Sequence, residues 1–121
     1  MKTSLLATLA LFITLTNSQV LVAADAEHGR TLYRAYCAQC HGVEGDGFGV
    51  NSPDMEVAPK DHTETAEMQT RNDADLFKAI KDGGKAVDKS ALMPNWDANL
   101  NDDEIHALVA YLRILSKTGS Q

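Results

Sequence analysis

Apolar positions in this chain recur at helical spacing, and nowhere do they alternate as a strand would require. Gly29, Leu32, Tyr33 and Tyr36 fall at i, i+3, i+4 and i+7, which predicts a helix from about Ala26 to Ala38. Gly29 weakens that helix, so its place on the inner face points to close approach by another element. A second helix is predicted from about Asp73 to Asp82, with Leu76, Phe77 and Ile80 turned inward. Asn72 is its N-cap, with Asp75 three residues on, and Gly83-Gly84 stops it. The third pattern is the clearest. Asn101 caps it, Glu104 completes a capping box, and Leu100 can staple against Ile105. Ile105, Leu108, Val109, Leu112 and Leu115 form its buried stripe, while His106, Ala110, Arg113 and Lys117 fall opposite. The chain has no internal repeat and no low-complexity tract. The fold class is all-α, with three main helices joined by long loops.

The most apolar stretch lies outside these helices. After Met1 and Lys2, residues 4 to 16 form a run dominated by Leu, Ala and Ile. A polar patch from Asn17 to Gln19 follows, then the small-residue segment "VLVAADA". A positive start, an apolar middle and small residues at the cut are the order of a secretory signal. Cleavage falls after Ala24 or after Ala26. An uncleaved anchor is the alternative, since residues 4 to 24 are nearly long enough to span a bilayer, but the polar interruption opposes it. The expected organisation is therefore a signal peptide over 1–24 and one exported domain over 25–121.

Charge and size narrow the function. Lys2 is the one charged residue before position 25, so the formal charge of −6 becomes −7 in the remaining 97 residues. An acidic surface disfavours nucleic acid and anionic membrane and favours a partner with a basic docking patch. A domain this small buries limited apolar area by itself. A large apolar cofactor would complete its core.

The chemistry is concentrated in "YCAQCHGVEGDGFG", which holds the two cysteines, Cys37 and Cys40, and sets His41 directly behind the second. A redox dithiol, a structural disulfide, a zinc site and covalent haem attachment all use closely spaced thiols. A thioredoxin-like dithiol needs a βαβ context that an all-α chain lacks. A disulfide across two residues closes a very short loop and leaves His41 unexplained. A structural zinc site needs a second ligand cluster, and His28, His62 and His106 are scattered singly. Haem attachment uses all three residues: the thiols add to the vinyl groups, and the imidazole reaches the iron. A six-coordinate carrier needs a second axial group, for which a thioether suits ferrous iron. Met55 and Met68 read as core filler, whereas Met93 sits in the loop "SALMPNW", stiffened by Pro94. His62 is a rival ligand, and His106 reads as a solvated surface residue. Gly45, Gly47 and Gly49 resemble a phosphate loop only superficially, because no Lys-Ser/Thr follows and no strand precedes; they read as a flexible turn leaving the haem.

The segments "GRTLYRAYCAQCHG", "DLFKAIKDGG", "MPNW" and "DDEIHALVAYLRIL", with Pro59 between the first two, resemble the class I c-type cytochromes, small monohaem proteins of bacterial periplasms. The resemblance extends over almost all of the chain after the signal. It implies a class I fold wrapped around one covalently bound haem c, with thioethers at Cys37 and Cys40 and axial ligands His41 and Met93. The carbonyl of Pro59 would accept a hydrogen bond from the other ring nitrogen of His41. Gly29 and Tyr33 would pack on Tyr111, and Trp96 would lie against the haem edge or a propionate. An apolar residue is commoner in the family where His62 stands. The implied protein is a soluble periplasmic electron carrier, not an enzyme, exchanging electrons with donor and acceptor proteins the sequence does not name. Two other classes remain: a haem-binding subunit or docking module of a larger oxidoreductase complex, and a haem sensor or peroxidase-like protein with a labile sixth ligand.

Overall fold

The computed structural model describes residues 25–118 of the chain, and no strand occurs among them. The signal peptide expected over 1–24 lies outside the described residues. In chain order the helices are α1 over 25–36, α2 over Ala38–His41, α3 over Thr65–Gln69, α4 over Asp73–Asp82 and α5 over Asp102–Thr118. Single 3₁₀ turns at Ser52–Asp54 and Gly84–Val87 shape the loops between them.

Two of the helices follow their local signals closely. Around α4 the Asn72 side chain accepts from the Asp75 amide at 2.8 Å while the Asp75 carboxylate accepts from the Asn72 amide at 3.2 Å. The same reciprocal pair opens α5, with Asn101 and Glu104 exchanging bonds of 2.9 and 3.0 Å. Leu100 and Ile105 are both buried there, as a staple requires. The expected stripe on α5 is buried throughout, but it is wider than predicted, because Ala107 and Tyr111 are buried as well. Those two residues face α1. A Cβ placed on Gly29 would fall inside the carbonyl of Ala107 and 3.0 Å from the Tyr111 Cβ, so the terminal helices cross at a contact only glycine permits. Tyr33, fully buried, meets Tyr111 edge to face at 5.3 Å between ring centroids and completes the crossing.

The first predicted helix differs at its end. Instead of running to Ala38, it stops at residue 36, Cys37 turns, and α2 restarts the helical path. Hydrogen bonds from the Cys40 and His41 amides to the Cys37 carbonyl, at 3.2 and 2.9 Å, hold that turn. Helix α3 was not predicted. It has five residues and a single apolar anchor, the fully buried Met68, so no periodicity announces it. Its position is set from α5. Arg113 donates to the carbonyls of Met68 and Arg71 at 2.8 and 2.5 Å and to the Asp73 carboxylate at 2.8 Å. A residue assigned to the polar face of α5 thus joins it to α3 and to the start of α4.

Candidate functional site

The thiols and the imidazole owe their arrangement to α2. On a helical turn, Cys37, Cys40 and His41 stand at i, i+3 and i+4 and therefore share one face. That face is one wall of a cavity of about 810 Å³. Leu76 and Ile80 of α4 and Leu108 and Leu112 of α5 give it apolar sides, and the loop after the second 3₁₀ turn contributes Met93. Pro59 and Trp96 line it too, so the structure brings all six residues singled out in the sequence to one place. The loop holding Met93 is fastened to the end of α4: the Gly84 amide donates to the Met93 carbonyl at 3.0 Å, and the Trp96 amide donates to the carbonyls of Ile80 and Lys81 at 3.1 and 3.2 Å.

The His41 ring is held by a backbone carbonyl. Its Nδ1 lies 2.9 Å from the carbonyl of Lys60, which can only accept, so Nδ1 carries the proton. Burial holds the ring below the usual histidine range, partly offset by that bond, so the imidazole is neutral and Nε2 keeps its lone pair. The expected partner was Pro59. The bond is instead made one residue later, while the Pro59 carbonyl faces Gly47. Any backbone carbonyl delivered to that point could orient a ligating histidine in the same way.

His62 sits beside His41. The two rings stack with centroids 4.4 Å apart and planes 21° from parallel. Tyr33 Oη lies 3.1 Å from His62 Nδ1, and the His62 amide donates to the Gly45 carbonyl at 2.6 Å. Burial first, then His41 and Lys60, push His62 well below its ordinary pKa, and burial raises the Tyr33 phenol. The sequence offered His62 only as a rival ligand, and its pairing with Tyr33, 29 residues away, carried no local signal. His106 is exposed on α5 with its ring against Phe77, 4.6 Å between centroids.

Cys37 and Cys40 are half-buried and are not joined in a disulfide. Burial and the neighbouring Cys40 push the Cys37 thiol up to about 12, the opposite of the low-pKa thiol of a dithiol oxidoreductase. No cluster of three or more His, Cys, Asp or Glu side chains suited to a metal ion occurs among the described residues. Two thiols and a neutral imidazole on one helical face, bordering an apolar cavity of cofactor size, fit a covalently bound haem.

Comparison with known proteins agrees with that fit. The family model described as cytochrome c oxidase, cbb3-type, subunit III matches residues 24–112. The chain is 30% identical over 93 residues to cytochrome c-554(547) of Halothiobacillus neapolitanus, covering 77% of this chain and 99% of that protein. It is 30% identical over 104 residues to the cbb3-type cytochrome c oxidase subunit CcoP of Azospirillum brasilense, covering 86% of this chain but spanning only 33% of that subunit. A shorter stretch of 32 residues is 50% identical to a cytochrome c-553-like protein of a Synechocystis strain, covering 26% of this chain and 30% of that protein. The helical fold, the attachment motif and the extent of these matches make one conclusion: the chain belongs to the class I c-type cytochromes, and its cofactor is haem c.

Proposed function

We propose that the protein is a periplasmic single-electron carrier with one haem, attached through Cys37 and Cys40 and ligated by His41 and Met93. When bound, the haem supplies a one-electron iron couple. Everything else is the work of the chain. The Lys60 carbonyl holds His41 with Nε2 available, Leu76, Ile80, Leu108 and Leu112 exclude water, and Pro94 stiffens the loop that presents Met93. The observation that carries the reading is His41, oriented by the Lys60 carbonyl, on the same helical face as two thiols.

Three methionines line the cavity, and their settings favour Met93. Met68 is fully buried in the core cluster. Met55 follows the 3₁₀ turn that packs on α2, the helix of His41. His62, stacked on His41, belongs to the same wall as the first ligand and not to a second one. The apolar run and small residues over 1–24 support export, and no helix among the described residues is long and apolar enough to cross a membrane.

The Met93 series tests this. Met93→His should keep a low-spin, six-coordinate spectrum, lower the midpoint potential and remove the sulfur-to-iron charge-transfer band, because an imidazole favours ferric iron relative to a thioether. Met93→Ala should open the site to added ligands. Met55→Leu and His62→Ala should leave the band in place. Survival of the band in Met93→Ala, or its loss in Met55→Leu, would assign the sulfur elsewhere. Rapid carbon monoxide binding by the reduced, unmodified protein would replace the carrier reading with a labile-ligand sensor or enzyme. The similarity to an oxidase subunit favours a second reading, in which the domain works as a subunit of a larger complex. Stable co-purification with a partner separates the two.

A further inference from the structure

The segment 42–57, which leaves the haem motif, is built in a way that ligation does not require. Gly42, Gly45 and Gly47 hold φ values of 83°, 81° and 84°, a conformation that side chains disfavour, and the loop they make is fastened at almost every step. The Gly47 amide donates to the His41 carbonyl at 2.8 Å, Gly49 to Cys40 at 3.1 Å and Asn51 to Gln39 at 2.9 Å. The Phe48 amide donates to the Asp46 carboxylate at 3.0 Å. This rigid base turns two large apolar side chains to solvent: Phe48 is 83% exposed and Val50 81%. Val43 adds to the exposed apolar surface of the same segment. Leaving such residues in water is unfavourable, and an unpartnered apolar surface on a stiff base marks an interaction site.

The charge around it selects the occupant. The segment carries Glu44, Asp46, Asp54 and Glu56 and no Lys, Arg or His. Glu44, Asp54 and Glu56 are exposed and form no ion pair among the described residues. Two acidic loops would repel each other, which disfavours a second copy of this chain, and anionic lipid is disfavoured likewise. We infer that Phe48 and Val50 form the docking knob for a redox protein whose apolar recess is rimmed by Lys or Arg. The inference rests on the electron-carrier reading and deepens it. A partner seated here contacts backbone that is hydrogen-bonded directly to Cys40 and His41, so docking and the haem attachment share one short segment.

Stopped-flow oxidation of the reduced, haem-loaded protein tests it with three probes: tris(phenanthroline)cobalt(III), an aromatic cation; a lysine-rimmed basic cytochrome; and ferricyanide, an anion. The double substitution Phe48→Ser with Val50→Ser should slow the first two by about tenfold, as loss of a central apolar anchor does, and leave ferricyanide unchanged. Glu44→Lys with Glu56→Lys should slow both cationic probes and speed ferricyanide. Ile114→Ser, at an exposed apolar residue on α5, should change none of them. Unchanged rates in both double variants, or equal slowing by Ile114→Ser, would overturn the inference while leaving the carrier reading intact. Concentration-dependent dimerisation abolished by the Phe48 and Val50 changes would make a second copy the occupant and also overturn it. An unmodified protein that reduces none of the probes would overturn the carrier reading and this inference together.

Discussion

Tyr33 and His62 show how a single pair of side chains stabilises the wall beside His41. Tyr33 is fully buried, His62 nearly so, and each satisfies the other through one contact of 3.1 Å. Deleting the hydroxyl leaves a buried imidazole nitrogen without its partner, which costs about 1–3 kcal/mol. Tyr33→Phe should therefore lower the stability of the haem-loaded protein by that amount in denaturant titration. Its charge-transfer band should persist, because the proposed ligands His41 and Met93 are untouched. Loss of the band would mean that the pair controls ligation and not only packing.

At the scale of elements, α1 and α5 cross at a contact that leaves no room for a Cβ at Gly29. Gly29→Ala would drive a methyl group into the Ala107 carbonyl, and neither helix backbone can retreat without disturbing Tyr33 and Tyr111. The substitution should destabilise the protein by about 1–3 kcal/mol or more, the range for forcing volume into a packed site. Ala is the better helix former, so on propensity alone the same change would stabilise. The sign of the change in melting temperature decides between the two effects, and an increase would show that the helices separate easily.

For the whole molecule, a haem seated in the cavity as proposed would be part of the core. The cavity of about 810 Å³ lies between α2, α4 and α5, and a chain of this size has few other apolar contacts to replace what fills it. Cys37→Ala with Cys40→Ala should abolish covalent haem and leave little folded protein, because ligand binding to the native state is a folding free energy. A cooperatively melting, haem-free double variant would contradict this. The formal charge of −6 gives a second expectation at the same scale. Electron transfer to a basic partner should slow as ionic strength rises, with most of the change complete once the Debye length falls to about 8 Å. A rate flat across that range would mean that the apolar knob alone governs docking.

The sequence by itself determined whatever depends on neighbours within a turn. The capping boxes at Asn72 and Asn101, the stripe of α5 and the single face shared by Cys37, Cys40 and His41 all rest on residues three or four apart. Only the tertiary structure decided the rest, because those partners are far apart in the chain. The carbonyl that orients His41 is 19 residues away and belongs to Lys60 where Pro59 was expected, a choice set by the path of a loop that no side-chain pattern encodes. Arg113 reads as an exposed helix residue until α3 comes within reach, 45 residues earlier in the chain. His62 was legible only as a lone histidine, and its place against His41 and Tyr33 exists only once α1 and the loop after Pro59 have packed together.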